Sequence, residues 1–242
     1  MLETENFVNT LAEGTILCFD KPLGWTSFDV VNKFRVLARQ ILGLRKLKAG
    51  HAGTLDPLAT GLLIICTGKQ TKSIESFQEM EKEYTGIFTL GQTTPSFDLE
   101  TQPDASFATD HIDRTAIMLA IQNLTGTQDQ LPPLFSAKMV DGKRAYKIAR
   151  QGGQAELKTK SITISTFELT RLNLPDVHFR VLCSKGTYIR SLARDFGTAL
   201  HSGAYLKELR RTRIGQYEVS HAWSLESFEK ELRSLSLLKD LG

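Results

Sequence analysis

The residues best placed to do chemistry begin in GHAGTLDPLATGLL, residues 50–63, where Asp56 is the sole acid. A carboxylate that attacks carbon must be ionised, open to its substrate and held still. Glycines let a backbone approach a ligand closely, Pro57 stiffens the next step, and the apolar run Leu62–Cys66 offers an anchor. An opposing guanidinium would keep such a carboxylate ionised. The candidate is Arg190 in CSKGTYIRSLARD, where a strand ends at Cys183 and a Gly-Thr turn opens a helix. Tyr84, heading the alternating stretch EYTGIFTLG, offers a face for stacking on a base and a hydroxyl for proton transfer. On spacing alone each has a plainer alternative. Asp56 opens a surface turn, Arg190 is a solvated helix residue, and Tyr84 is a sheet-edge tyrosine.

Other chemistries find little support. The histidines at 51, 111, 178, 201 and 221 are scattered, with no His-x-x-x-His or Cys-x-x-Cys pair, so no metal is expected. No Gly-x-Gly-x-x-Gly or Walker pattern follows a strand, so no nucleotide cofactor is expected. Gly-x-Ser-x-Gly is absent as well. A glycosidase needs two carboxylates about 5–10 Å apart; the loop supplies one, and Asp98 or Glu83 would have to be the other. Cys18, Cys66 and Cys183 sit in apolar runs and read as free thiols of a reducing compartment. The opening MLETENFVNT lacks a signal-peptide pattern, and no apolar run approaches the roughly 20 residues of a membrane span. A cytoplasmic protein without membrane contact is expected.

Net charge is only +3, but the charge is segregated. Residues 33–48, 138–160 and 180–213 hold 21 of the 30 Lys and Arg and 4 of the 27 acids. That asymmetry suggests a basic face for phosphate binding, or solvated helices that never meet.

The elements around these residues follow from pattern. GTILCFDKP reads as a buried strand. Thr26 or Ser27 is available as N-cap, and Asp29, three residues after Thr26, makes a loose capping box ahead of the stripe Val30, Val31, Phe34 and Leu37. Residues 49–61 read as loop and LLIICTG as a buried strand. Residues 72–81 form a short helix, and a helix capped by Asp110 runs to about Leu124. PPLFSAKMVDGKRAYKIARQGG is an extended stretch with an Asp-Gly turn and a short basic helix. Residues 160–172 and 176–184 alternate as paired strands about Pro175, and YLKELRRTRIGQYEV is short helix or strand, then strand. SLESFEKELRSL forms a last helix. Hairpin links dominate, so the chain should be α+β, with a mixed, largely antiparallel central sheet flanked by helices.

Several stretches, in order, resemble the TruB-type tRNA pseudouridine synthases: FDKPLGWTS, GHAGTLDPLATGLL, KEYTGIFTLGQTT, PPLFSAKMVDGKRAYKIARQG, SKGTYIRSLARDFG and YLKELRRTRIG. The resemblance covers about residues 14–215. It implies the pseudouridine synthase fold and isomerisation of a T-loop uridine of tRNA, position 55, after base flipping, with no cofactor and no metal. It places Asp56 as the nucleophile, attacking C1′ of the ribose or C6 of the base. Tyr84 packs on the base, and Arg190 pairs with the aspartate. Leu209 lines the pocket, His51 contacts the RNA around the extruded base, and Lys21 belongs to the supporting Lys-Pro motif.

The resemblance further implies a single catalytic domain over 1–242, with a clamp-like RNA-binding insertion at about 125–153. Lys138, Lys143, Arg144 and Arg150 of that insertion, with Arg210 and Arg211, are the expected RNA contacts. The expected partner is the T arm of tRNA, bound by a monomer. Three departures from the family pattern stand out. Met139 replaces the lysine of Ser-Ala-x-Lys, Thr101 replaces a usual glycine, and only about 25 residues follow RIGQY, too few for a full C-terminal PUA domain. A tRNA-binding or folding factor acting without catalysis shares the basic windows but has no need of Asp56.

Overall fold

A computed structural model describes residues 2–136, 139–140, 142–150, 153 and 157–240. The chain runs α1 (Leu2–Glu13), β1 (Ile16–Lys21), α2 (Ser27–Leu42), β2 (Ala49–His51), β3 (Ala59–Thr67), a 3-10 turn (Gly68–Ser73), α3 (Ile74–Glu79) and β4 (Lys82–Leu90). It continues with β5 (Gln92–Thr93), β6 (Ala105–Ser106), α4 (Arg114–Asn123), β7 (Gly126–Gln130), β8 (Met139–Val140), β9 (Lys143–Arg144) and α5 (Ala145–Arg150). Last come β10 (Lys160–Asn173), β11 (Asp176–Cys183), α6 (Ile189–Ala199), β12 (Ala204–Ile214), β13 (Tyr217–Glu218), a 3-10 turn (Val219–His221) and α7 (Leu225–Asp240). Two compact units divide these elements: Met1–Lys82 with Arg210–Gly242, and Glu83–Leu209.

The first unit is built on β3. Its LLIIC run is apolar on successive residues because both of its faces are buried. Leu63 and Ile65 point into a core with Leu11, Phe19, Val30, Val31, Phe34, Leu37, Phe228 and Leu232. Leu62, Ile64 and Cys66 point the other way, onto Phe77 and Ile214. Phe19, Phe34 and Phe228 form an aromatic triangle with ring centroids 5.0–6.0 Å apart. β1 pairs antiparallel with β3 from Ile16↔Cys66 to Lys21↔Gly61. The Arg210–Ile214 end of β12 also lies beside β3. Gly61 permits that approach: a Cβ there would meet the Arg211 carbonyl oxygen at 2.3 Å, and its φ is +104°.

The expected capping box is present. Thr26 accepts from the Asp29 amide, and Asp29 accepts from the Thr26 amide. Gly43 closes α2 in the left-handed conformation. One feature departs from the sequence expectation. Ala49–His51 is a strand, paired with β3, rather than the start of a loop; ladder bonding to β3 overrides the poor strand propensity of Ala and Gly. Leu2–Glu13, with few apolar positions, is a helix whose Leu11 is buried in the core around Phe228 and Leu232.

In the second unit the 14-residue β10 lies between β11 and β7. Both pairings are antiparallel, and β11 is followed by β4 and the Ala204–Leu209 part of β12. Phe88, Phe167, Phe179 and Phe196 fill its core, Phe88 stacked on Phe179 at 4.1 Å. Gly86 lets β4 and β12 come together, since a Cβ there would meet the Glu208 carbonyl oxygen at 2.3 Å. The α4 cap is Asp113, which accepts from the Ala116 amide, and not Asp110; the buried stripe Ile117, Ala120 and Ile121 starts one turn after it. Residues 204–214 resolve to strand. The basic hairpin forms by Met139↔Arg144 and Val140↔Lys143 about Gly142. The α+β class and the largely antiparallel strand pairing are as the sequence indicates. No helix among the described residues is long and apolar enough to cross a membrane.

Candidate active site

In the first unit the Asp56 loop is held on both sides of the carboxylate. Before it, the buried Ser27 hydroxyl accepts from the Leu55 amide at 2.8 Å and donates to the Leu55 carbonyl at 3.2 Å. After it, the Pro57 carbonyl accepts from the Gly24 amide at 2.8 Å and from Lys21 Nζ at 3.4 Å. The Ala59 amide donates back to the Asp56 carbonyl, closing a tight turn. Asp56 itself is half-buried, with Pro57 and Leu58 exposed beside it. The chain thus clamps the backbone of the loop from the Lys-Pro turn and the first turn of α2 while leaving Asp56 at the surface.

The cations beneath this loop are structural. Lys21 is fully buried, and its ammonium also donates to the carbonyls of Pro22 and Trp25. Burial pulls its pKa down to about 8, against the opposing pull of the Asp56 carboxylate. Arg211 is 1 % exposed and donates to the carbonyls of Leu62 and Gly53. An interior guanidinium bound to loop backbone has no reach to a phosphate, so Arg211 supports the loop, contrary to its expected place among the RNA contacts. Arg210 forks onto the Asp20 carboxylate at 2.7 and 3.0 Å and keeps 40 % of its side chain exposed. Half-buried His51, on β2, is held below the usual imidazole pKa by burial and by Arg211. Its Nδ1 is buried and has no hydrogen-bond partner among the described residues.

In the second unit Arg190 opens α6 and is 4 % exposed. Its Nε lies 3.6 Å from the Asp98 carboxylate, Nη1 donates to the Ser96 carbonyl and Nη2 to the Phe135 carbonyl at 2.9 Å. Asp98, weighed in the sequence as a second acid, therefore faces an arginine. The loop that carries it is pinned by Thr101, the residue in place of the usual glycine. Thr101 Oγ1 accepts from the Ser96 amide, and the two hydroxyls lie 2.8 Å apart. Phe97 takes a left-handed φ of +63°, and the Arg194 guanidinium lies over its ring at 5.2 Å. Tyr84 on β4 is buried, and Leu209, half-buried, lies on the neighbouring strand β12.

The root of the basic insertion is tied to α6. Gln130 accepts from the Tyr188 amide, and Ser191 donates to the Leu131 carbonyl. Lys138 lies outside the described residues, as do the side chains of Lys143, Arg144 and Arg150. No cluster of three or more metal-ligating side chains occurs among the described residues. Nothing in the sequence signals what Ser27 and Ser96 hold, and it marks Thr101 only as a departure from the family pattern. Away from a capping pattern such as that at Thr26, short hydroxyl residues carry no signal, and only the folded loops reveal their partners.

Residues 39–189 match the TruB family pseudouridylate synthase (N terminal domain), and residues 190–240 match the tRNA pseudouridylate synthase B C-terminal domain. The tRNA pseudouridine synthase B of Phocaeicola vulgatus is 56 % identical over 220 residues, 91 % of this chain and 94 % of that protein. That of Flavobacterium johnsoniae is 54 % identical over 222 residues, 91 % and 97 % of the two chains. Among solved structures, a Cbf5-Nop10-Gar1 complex matches at TM-score 0.68 and 27 % identity, over 96 % of this chain and 61 % of that one. An H/ACA RNP bound to a substrate RNA containing 2'-deoxyuridine matches at TM-score 0.67 and 26 % identity, over 93 % and 55 %. The chain spans little more than half of those solved chains.

Proposed function

The chain belongs to the TruB family of pseudouridylate synthases, and from that premise we propose that it isomerises uridine 55 in the T loop of tRNA, with Asp56 as the nucleophile. The observation that carries this reading is the double anchoring of the Asp56 loop at Leu55 and Pro57. A nucleophile gains from a fixed backbone, whereas a surface turn needs none of it.

The reaction is an isomerisation, so it needs no redox partner. The bond from C1′ to N1 of uracil breaks, and a bond from C1′ to C5 forms. C5 loses its proton, and N1 carries one in the product. Asp56 attacks C1′ or C6, the base turns, and Tyr84 packs on it and assists removal of the C5 proton. Arg190 is assigned by the family resemblance as the counter-charge of the Asp56 carboxylate during the reaction. Its own setting, fixed by Asp98 and two carbonyls, suits a cation that must stay still.

The target is inaccessible in a stacked T loop, so the nucleotide is flipped out at a cost of a few kcal/mol. Stacking on an aromatic ring returns about 1–3 kcal/mol. Lys138, Lys143, Arg144 and Arg150 of the insertion, with Arg210, hold phosphates, His51 contacts the RNA beside the extruded base, and Leu209 lines the pocket. The enzyme acts as a cytoplasmic monomer without metal or cofactor. The test is to incubate unmodified tRNA with the protein and excess chelator and to map pseudouridine. The reading predicts pseudouridine at nucleotide 55. Binding without any pseudouridine would leave only the tRNA-binding factor.

A further inference from the structure

One backbone outlier adjoins Arg190, and the reaction as described leaves it without a role. Phe97 takes a φ of +63°, in the region that glycine enters freely and an aromatic residue enters only under constraint. The residues on either side of it meet one guanidinium. The Ser96 carbonyl accepts from Arg190 Nη1 at 3.3 Å, and the Asp98 carboxylate lies 3.6 Å from Arg190 Nε. The turn at Phe97 lets a carbonyl and a carboxylate from these two residues face the same group. Its backbone is held at both ends. The Phe97 amide donates to the Thr94 carbonyl at 3.0 Å, and the Phe97 carbonyl accepts from the Leu206 amide at 2.9 Å. The Asp98 carbonyl accepts from Thr94 Oγ1 at 2.6 Å, and Asp98 Oδ1 accepts from the Glu100 amide at 2.9 Å.

None of these backbone bonds needs a ring, and glycine would make the same turn at lower steric cost. The ring instead lies under Arg194, its centroid 5.2 Å from the guanidinium carbon. A guanidinium over an aromatic face is drawn to it by the ring quadrupole. Arg194 follows Arg190 by one turn of α6, so the two side chains are neighbours along that helix. Its Nε and Nη2 both donate to Asp195 Oδ1, at 2.8 and 2.7 Å, which fixes the guanidinium in place. Helix α6 thus grips the loop at two points, Asp98 through Arg190 and Phe97 through Arg194. We propose that Phe97 is a positioning residue: its contact with Arg194 holds the left-handed turn, and the turn sets Asp98 against Arg190. The inference rests on the role proposed above for Arg190 in the reaction.

The experiment compares wild type with Phe97→Leu, which keeps apolar bulk and loses the ring, and with Phe97→Tyr, which keeps the ring. Three quantities are measured: the single-turnover rate at saturating tRNA, the dissociation constant for tRNA, and solvent exchange of the Arg190 Nε proton by NMR. Phe97→Leu should lower the rate roughly tenfold and leave the dissociation constant within about twofold, because the counter-charge of Asp56 is misplaced. It should also speed Arg190 Nε exchange roughly tenfold, as a loosened loop opens more often. Phe97→Tyr should stay within about twofold of wild type in rate and exchange. Arg194→Met should reproduce the losses of Phe97→Leu, and combining the two should lower the rate no further. A wild-type rate in Phe97→Leu, or losses that multiply in the double variant, would overturn the proposal. So would a lower melting temperature with rate and exchange unchanged, the mark of a purely structural ring. If Phe97→Leu does not fold, Arg194→Met decides by the same two readings. If wild type forms no pseudouridine, the proposed function fails, and Arg190 Nε exchange still decides the role of Phe97.

Discussion

Replacing Ser27 by alanine should damage both stability and catalysis while sparing tRNA affinity. The Ser27 hydroxyl is the partner of both backbone groups of Leu55, at 2.8 and 3.2 Å, and Ser27 and Leu55 are 1 % and 3 % exposed. Ser27→Ala strands a buried N–H and a buried C=O. Each costs about 1–3 kcal/mol, and the longer bond falls at the lower end, so the loss is about 3 kcal/mol. For a chain of this length that lowers the melting temperature by roughly 6–12 °C. The same change frees the residue that precedes Asp56. Misplacing a reacting group by about 1 Å can cost on the order of 100-fold in rate, so the single-turnover rate should fall at least tenfold. The dissociation constant for tRNA should stay within about twofold, since the hydroxyl faces the interior. Thermal melting, single-turnover kinetics on tRNA and a binding titration give the three numbers. A variant that melts within about 2 °C of wild type, or that keeps its full rate, would refute the idea that α2 holds the loop in place.

Two further outcomes follow from buried charges. Burial lowers the Lys21 pKa from 10.5 to about 8, so the folded protein releases that proton at lower pH than the unfolded chain does. The penalty for the buried ammonium is full below about pH 8 and gone above 10.5. Wild type should therefore gain about 3 kcal/mol relative to Lys21→Met as pH rises across that interval, as read by denaturant unfolding; a difference that stays flat with pH would contradict the assignment. Asp98→Asn removes a carboxylate from the nearly buried Arg190. It should cost about 3–5 kcal/mol and depress the single-turnover rate more than tRNA affinity. Retention of full rate and stability would show that Asp98 does not position the guanidinium.

The parts of the fold that sequence reveals are those with a strong local signal. The β3 run Leu62–Cys66, the Thr26–Asp29 box and the paired strands either side of Pro175 each declare themselves through hydrophobic pattern or turn chemistry. β7 did not, because GTQDQ is polar and lies at the edge of its sheet. Neither did Ala49–His51, whose strand form depends on its neighbour β3. The same division holds at the site. Asp56, Tyr84 and Arg190 stand out by residue type in ordered motifs. Basic residues, by contrast, do not announce whether their charge faces water. Arg210 and Arg211 are adjacent, yet one keeps part of its side chain in solvent and the other is buried against Gly53 and Leu62. Strand alternation turns neighbouring side chains to opposite faces, and only the fold tells which face lies inside.

The claim at the centre of this account is that one carboxylate, Asp56, performs the chemistry. The measurement is tritium release from tRNA labelled at C5 of its uridines, with wild type and Asp56→Asn compared at equal, saturating protein and tRNA binding followed in parallel. The account predicts that wild type releases tritium in step with pseudouridine at nucleotide 55. Asp56→Asn should bind the same tRNA and release none above background. Release by Asp56→Asn at the wild-type rate would contradict it.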